Sequence, residues 1–231
     1  EAGAAHYGIV PVENSTEGMV NTTLDSFMQS SLRICGEVAL RIHHHLLIGP
    51  ATKRTGITRI YSHQQSLAQC RKWLDSHYPG VERIAVSSNA EAARRLRDEW
   101  HAAAIAGDMA AELYGLEKFA SNIEDSPHNT TRFLIVGQDR VGASGDDKTS
   151  ILVSTKNKPG ALHDLLAPFH RENISLTRIE TRPSKEGTWA YVFFIDFEGH
   201  ESDESVARVL QEIESETVYL KRLGSYPKAV L

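Results

Sequence analysis

The spacing of apolar residues divides this chain into two stretches of different rhythm. In the first, short apolar runs alternate with segments of helical spacing. His6–Val12 predicts a strand, and Met19, Leu24 and Phe27 give Gly18–Ser30 a loosely helical pattern. Val38–Ile48 reads as one or two strands interrupted by His43-His44-His45. Arg59–Ser62 predicts a short strand, and Gln64–Ser76 a helix with Leu67, Cys70, Arg71 and Leu74 on one face. Glu82–Val86, Ala102–Ala106 and Thr131–Val136 predict further strands, and Asp108–Tyr114 a helix. Ser88-Asn89-Ala90-Glu91 fits a capping box, in which the Ser hydroxyl and Glu carboxylate satisfy free amides at a helix start. Ala93, Leu96 and Trp100 continue that helix at core spacing. Strands alternating with helices predict an α/β domain with a largely parallel sheet.

The rhythm breaks between Gln138 and Lys148, a polar, Gly-rich stretch without periodicity that reads as an interdomain linker. We place the linker at 141–148, between a first domain at 1–140 and a second at 149–231. Downstream, Ser150–Thr155 predicts a strand, Lys158-Pro159-Gly160 a turn, and Leu162, Leu165, Leu166 and Phe169 a helix bent or shortened by Pro168. Ser175–Glu180 and Trp189–Phe197 follow as strands. Ser202 is placed to cap a helix whose buried stripe is Val206, Val209, Leu210 and Ile213, with Asp203 and Glu204 in its first turn. Val218–Leu223 closes the pattern. The order βαββαβ is that of a ferredoxin-like module of about 80 residues.

Composition narrows the function classes. A length of 231 residues suits two small domains. A net charge of −5 lacks the clustered basic excess of a nucleic-acid binder. No apolar run approaches the roughly 18–20 residues of a membrane-spanning helix. Cys35 and Cys70 are too few for a disulfide framework, so they read as small buried hydrophobes of a cytoplasmic protein. No signal peptide is visible, and a chain opening at Glu1 reads as a piece of something longer.

Candidate chemistry collects in four polar clusters. In open α/β sheets, ligands sit beyond the carboxyl ends of strands, where helix amino termini present free N–H groups. Glu13-Asn14-Ser15-Thr16, Ser62-His63-Gln64-Gln65 and Ser87-Ser88-Asn89 fall at such places. The fourth, His128-Asn129-Thr130-Thr131-Arg132, lies before a strand. Together they suit a small, polar, anionic ligand, although any single Ser or Asn is accounted for as a helix cap. The planar fork of Arg132 suits a carboxylate clamp; an internal pairing, with a carboxylate such as Glu13, is the alternative. His43-His44-His45 reads as a half-exposed strand and not as a metal site, since neighbouring strand side chains face opposite ways. No phosphate-binding glycine loop is present.

These residues resemble the prephenate dehydratases. Pro11-Val12-Glu13-Asn14-Ser15-Thr16-Glu17-Gly18 is similar to the family's "P-[IV]-E-N-[ST]-x-x-G" segment. Ser62-His63-Gln64-Gln65, continuing to Gln69-Cys70, resembles its "SHPQ…QC" segment, with Gln64 where Pro is usual. Thr131-Arg132-Phe133 matches its "TRF" signature. Gly160-Ala161-Leu162 and Glu180-Thr181-Arg182-Pro183 look like the "GAL" and "ESRP" motifs of the family's phenylalanine-sensing ACT domain, with Thr181 where Ser is usual. The resemblance spans nearly the whole chain, but nothing corresponds to the family's opening "G-x-x-G-[TS]-[FY]-S" loop. It therefore implies that roughly seventy residues of the catalytic domain precede Glu1, with a chorismate mutase domain before them in a bifunctional protein.

The fold implied is a two-lobed, periplasmic-binding-protein-like dehydratase domain, here partial, followed by an ACT domain. The activity implied is conversion of prephenate to phenylpyruvate with loss of water and carbon dioxide. Aromatisation makes that reaction downhill without a cofactor or metal. By resemblance Thr131 donates a proton to the leaving hydroxyl, and His63 is the alternative donor. Asn14, Ser15 and Gln69 position the substrate, Arg132 orders the site or binds a carboxylate, and Phe133 packs on the ring. Gly160, Ala161, Leu162, Glu180, Thr181, Arg182 and Pro183 are implied to bind L-phenylalanine as feedback inhibitor in a homodimer or dimer of dimers. The competing class is a non-catalytic binding module for a small anion or amino acid, which a two-lobed α/β fold serves equally well.

Overall fold

A computed structural model describes residues 3, 5–52, 56–156, 158–183 and 191–229. Strand β1 (Tyr7–Asn14) turns into the short β2 (Gly18–Met19), then α1 (Asn21–Gln29) and β3 (Arg33–Arg41). There follow β4 (His45–Ile48), β5 (Arg59–His63), α2 (Gln64–Gln69), α3 (Arg71–His77), β6 (Glu82–Val86), α4 (Asn89–Arg95), β7 (Ala102–Ala106), α5 (Asp108–Tyr114) and β8 (Glu117–Ala120). Strand β9 (Thr130–Gly137) returns to pair antiparallel with β1. The remainder is β10 (Asp147–Ser154), α6 (Ala161–Arg171), β11 (Leu176–Pro183), β12 (Tyr191–Glu198), α7 (Glu204–Glu216) and β13 (Tyr219–Pro227). The chain forms two compact units, one of Glu1–Leu40 with Thr131–Leu231, the other of Arg41–Thr130.

The Arg41–Thr130 unit is built on a sheet of order β6-β5-β7-β4-β8. Strand β5 runs parallel to β6 and β7, but β4 is antiparallel to both β7 and β8. The expected largely parallel sheet is thus mixed, because β4 inserts between two strands against their direction. All five residues of β7 are buried, and its four alanines leave room for close packing. The predicted helix over Gln64–Ser76 is two helices broken at Cys70. Asp125 makes the break tolerable: its carboxylate accepts the Lys72 and Trp73 amides, at 2.9 and 3.1 Å, that the new helix start leaves open. Ser88 caps α4 through the Glu91 amide, as the capping box requires. The Glu91 carboxylate is instead held by Arg94 and Arg95, and α4 stops before Trp100, which is exposed.

The other unit contains two four-stranded sheets, β2-β1-β9-β3 and β11-β12-β10-β13. The second has the predicted βαββαβ order and is antiparallel at every pairing. On one of its faces, Ile151, Val153, Ile195 and Phe197 pack under α6 and α7, whose Val206, Val209, Leu210 and Ile213 are buried as their spacing predicts. Pro168 lies within α6 without shortening it. The helix cap expected at Ser202 falls on Asp203; the Ser202 hydroxyl is engaged by the His200 ring at 2.7 Å. Of the strand predicted over Trp189–Phe197, positions 189–190 lie outside the described residues.

The opposite face of this sheet is not free. Leu152, Val192, Phe194, Leu223 and Tyr226 share one core with Val12, Ile34, Leu134 and Val136 of the first sheet and with Leu24 and Phe27 of α1. At Gly224 the sheets approach so closely that a Cβ would lie 2.2 Å from the Ile34 carbonyl oxygen, and φ is +152°; only glycine fits. The expected linker is correspondingly ordered at its end. Asp147 and Lys148 belong to β10, and the buried Asp147 carboxylate accepts the Ser144 and Gly145 amides at 2.8 and 3.0 Å.

Candidate active site

Register brings Asn14 and Thr131 opposite each other on β1 and β9. Asn14 Oδ1 accepts the Thr16 and Glu17 amides at 2.9 and 3.1 Å, closing a turn after β1. Because an amide N–H can only donate, the Asn14 oxygen must face that turn and its Nδ2 must face Thr131. Nδ2 donates to Thr131 Oγ1 at 2.7 Å. The buried Thr131 oxygen therefore accepts from Asn14, and its own O–H is directed away from Asn14 Nδ2. Ser15 sits exposed in the same turn, and Phe133 is half-buried opposite Pro11.

Strand alternation separates Arg132 from these groups. Thr131 and Phe133 share one face of β9, while Arg132 shares the other with the core residues Leu134 and Val136. Its Nε donates to Glu37 at 2.7 Å, Nη1 to Asp196 at 2.9 Å and Nη2 to the Tyr226 hydroxyl at 3.2 Å. The expectation of a carboxylate clamp is corrected: the fork is committed to internal acceptors, and they are Glu37 and Asp196 instead of Glu13. Lys148 also holds Glu37, at 2.9 Å, and Arg178 also holds Asp196, at 3.1 Å. Spacing did not reveal this network; its visible signals were Glu37 inside the apolar run of β3 and Asp196 between Ile195 and Phe197 of β12.

The network fixes an acid-side response. Burial pushes the Asp196 carboxyl up, but Arg178, Arg132 and the Ser150 hydroxyl more than offset it, leaving its pKa lowered. For Glu37, burial is likewise outweighed by Lys148, the Ala229 amide and Arg132. Both groups therefore contribute stability that is complete above the unfolded carboxyl value of roughly 4 and is lost as pH falls through the lower folded values. Thermal melts should show Tm falling with acidity below about pH 4, with a shallower fall in Glu37→Gln. An unchanged slope would contradict the assignment.

His63 and Gln69 lie in the other unit, at the two ends of α2. His63 Nδ1 accepts the Gln65 amide at 3.3 Å as the helix cap, which puts the neutral ring's proton on Nε2. Gln69 Oε1 is held by His44 Nε2 at 2.8 Å and Asn129 Nδ2 at 3.2 Å, and its carbonyl by the Asp125 amide. Two of the expected clusters meet here, since Asn89 Oδ1 takes both the Ser62 hydroxyl and the His63 amide, at 2.9 and 3.0 Å. His44 as the partner of Gln69 was not anticipated. The three histidines are not a half-exposed strand: His44 and His45 are buried, and only His45 belongs to β4. Among the described residues no group of three His, Cys, Asp or Glu could hold a metal ion. Cys70 is buried, its thiol pushed up to about 12 by desolvation, whereas Cys35 is only half-buried.

The expected effector residues share one end of the second sheet. Ser154, ending β10, and Arg182 on β11 both pair with Val192. Gly160 precedes α6 with φ +81° and open space, nothing within 4 Å, where a Cβ would stand; Ala161 and the exposed Leu162 lie beside it. The Ala161 amide is not open to a ligand, because it donates to the Lys158 carbonyl at 3.2 Å. Along β11, Glu180 and Arg182 point to one side and Thr181 and Pro183 to the other. Arg182 pairs with Asp25 of α1 at 2.9 Å.

Two family models match this chain. That of prephenate dehydratase covers residues 1–141, and that of the ACT domain residues 149–215. A bifunctional chorismate mutase/prephenate dehydratase of Stutzerimonas stutzeri is 68% identical over 230 residues, covering 100% of this chain and 63% of that protein. The chain thus spans somewhat less than two thirds of that relative's length. The structure of an Arthrobacter aurescens prephenate dehydratase in complex with L-Phe superposes with a TM-score of 0.89 at 37% identity, over 99% of this chain and 77% of that one. A structure described as GqqA, a novel type of quorum-quenching acylase, superposes with a TM-score of 0.87 at 30% identity, over 97% of this chain and 83% of that one. By the extent of the family match, this chain belongs to the prephenate dehydratase family and carries an ACT domain after the dehydratase region.

Proposed function

We propose that this chain is the catalytic and regulatory part of a cytoplasmic prephenate dehydratase, with residues 1–140 serving catalysis and 149–231 regulation. The observation that carries the reading is the Asn14–Thr131 hydrogen bond of 2.7 Å. A threonine hydroxyl is a weak acid, and a donor aimed at its oxygen is what makes it a better one. In the reaction, the ring C–OH bond breaks and the departing oxygen takes the Thr131 proton. The ring carboxylate leaves as carbon dioxide, and its bonding pair completes the aromatic ring. Solvent then returns a proton to Thr131. His63 remains the alternative donor through Nε2, and Gln69 and Ser15 serve as polar positioners. No step requires an electron-accepting cofactor.

Phenylpyruvate formation from prephenate tests the reading, using both this chain and its full gene product. Activity in neither would favour a small-anion or amino-acid binding module.

L-Phenylalanine is proposed as the effector, bound where Gly160, Ala161 and Leu162 open α6 and Glu180–Pro183 end β11. The sheet order leaves β11 at an edge, which a second copy would cover in a homodimer or dimer of dimers. Gly160→Val forces a branched side chain into a left-handed backbone. Calorimetry should therefore show phenylalanine binding weakened about tenfold or more, for a local strain of about 1–3 kcal/mol. Unchanged binding would move the effector elsewhere.

A further inference from the structure

The buried charge network has a feature that neither catalysis nor effector binding uses. Asp196 lies on β12 of the ACT sheet, 1% exposed, yet its carboxylate reaches the residue next to Thr131. Oδ2 takes Arg132 Nη1 at 2.9 Å and faces Arg178 Nε at 3.1 Å, and Oδ1 takes the Ser150 hydroxyl at 2.6 Å. Arg178 stands on β11, two residues before Glu180. From the same side of β11, Arg182 grips Asp25 of α1, and Arg178 Nη1 lies 3.8 Å from Met19 Sδ, just beyond the Asn14 turn.

We propose that Asp196 is a positioning residue for the reaction at Thr131, holding Arg132 and so the start of β9 in register, and that through Arg178 it ties this hold to the strand carrying the effector motif. The inference rests on the function proposed above. Three physical points support it. A buried carboxylate shared by two guanidiniums has no low-energy alternative arrangement, so movement of either cation is passed to the other. Arg132 is covalently adjacent to Thr131, whose hydrogen bond to Asn14 depends on the β1–β9 register. A shift of the effector strand would pull on Arg178 and on Arg182 together, and both reach elements flanking Asn14. Coupling between such sites typically changes affinity about 5–150-fold, and reciprocally.

The test is Asp196→Asn in the full gene product, a near-isosteric change that removes the charge. Turnover should fall about tenfold or more, with KM for prephenate changed by less than about threefold, as expected when only transition-state geometry is lost. Phenylalanine should still bind by calorimetry but lose most of its inhibition. Hydrogen exchange should rise at the Thr131 and Arg132 amides while the Val209 and Leu210 amides of α7 stay protected. Glu198→Gln, on the same strand but paired with Lys228 at 3.0 Å, should behave as the unaltered protein. A folded Asp196→Asn with unaltered turnover and unaltered exchange at Thr131 overturns the proposal. Should that variant not fold, Arg178→Gln replaces it, and full inhibition by phenylalanine there overturns the proposal equally. If the unaltered protein does not convert prephenate, the proposed function fails, while the exchange measurement still reads whether Asp196 holds Thr131.

Discussion

Thr131→Ala lowers turnover by about 10²-fold or more, the contribution of a positioned proton donor, while KM for prephenate changes little. The hydroxyl acts mainly in the transition state, so its loss should appear in kcat and kcat/KM alike. Thr131→Ser should recover most of the activity, because Oγ can still accept the Asn14 N–H at the same register position. The alanine variant also leaves Asn14 Nδ2 without its Thr131 acceptor, a loss of about 1–3 kcal/mol if no water replaces it. Steady-state kinetics on folded protein separate the two effects. Unaltered turnover in Thr131→Ala would transfer the donor role to His63, with His63→Ala as the deciding variant.

Arg132→Met should be the most destabilising single change near the site, by about 3–5 kcal/mol, the usual consequence of removing one partner from a buried ion pair. Glu37 would keep Lys148 and Asp196 would keep Arg178, which places the loss toward the lower end. The Tyr226 hydroxyl, its pKa raised chiefly by burial and the Asp196 charge, would lose its cationic neighbour. A clamp and a prop differ in what fails first. Chemical denaturation should show the midpoint falling sharply, with KM nearly unaltered in the protein that remains folded. A preserved midpoint with KM raised about tenfold, the roughly 1.4 kcal/mol of a lost ligand contact, would restore the clamp.

Much of this molecule was legible along the chain. Strand β7 and helix α5 fall on their predicted residues because five consecutive apolar residues, then a short helical run ended by Gly115 in a left-handed C-cap, leave few alternatives. The stripe Val206, Val209, Leu210 and Ile213 identified the buried face of α7, since helical periodicity is local. Thr131, Asn14 and Gln69 were named by motif, and their chemical types limit what each can do.

Other features depended on which strands become neighbours. The sequence order of β4 and β7 says nothing of their antiparallel pairing, because direction is set by the connection path and the partners within reach. Cys70 lies within a continuous helical pattern, and the helix breaks there because Asp125, distant in sequence, caps the second half. Arg132 shows the limit most clearly. Its type and its place beside Thr131 suggested a ligand clamp, yet alternation along β9 turns it to the opposite face, where Glu37 and Asp196 await it from β3 and β12. Local chemistry was written in the sequence; the partners of its buried charges were decided only when the two sheets closed on one core, since desolvated charges must be paired by whatever the fold brings within reach.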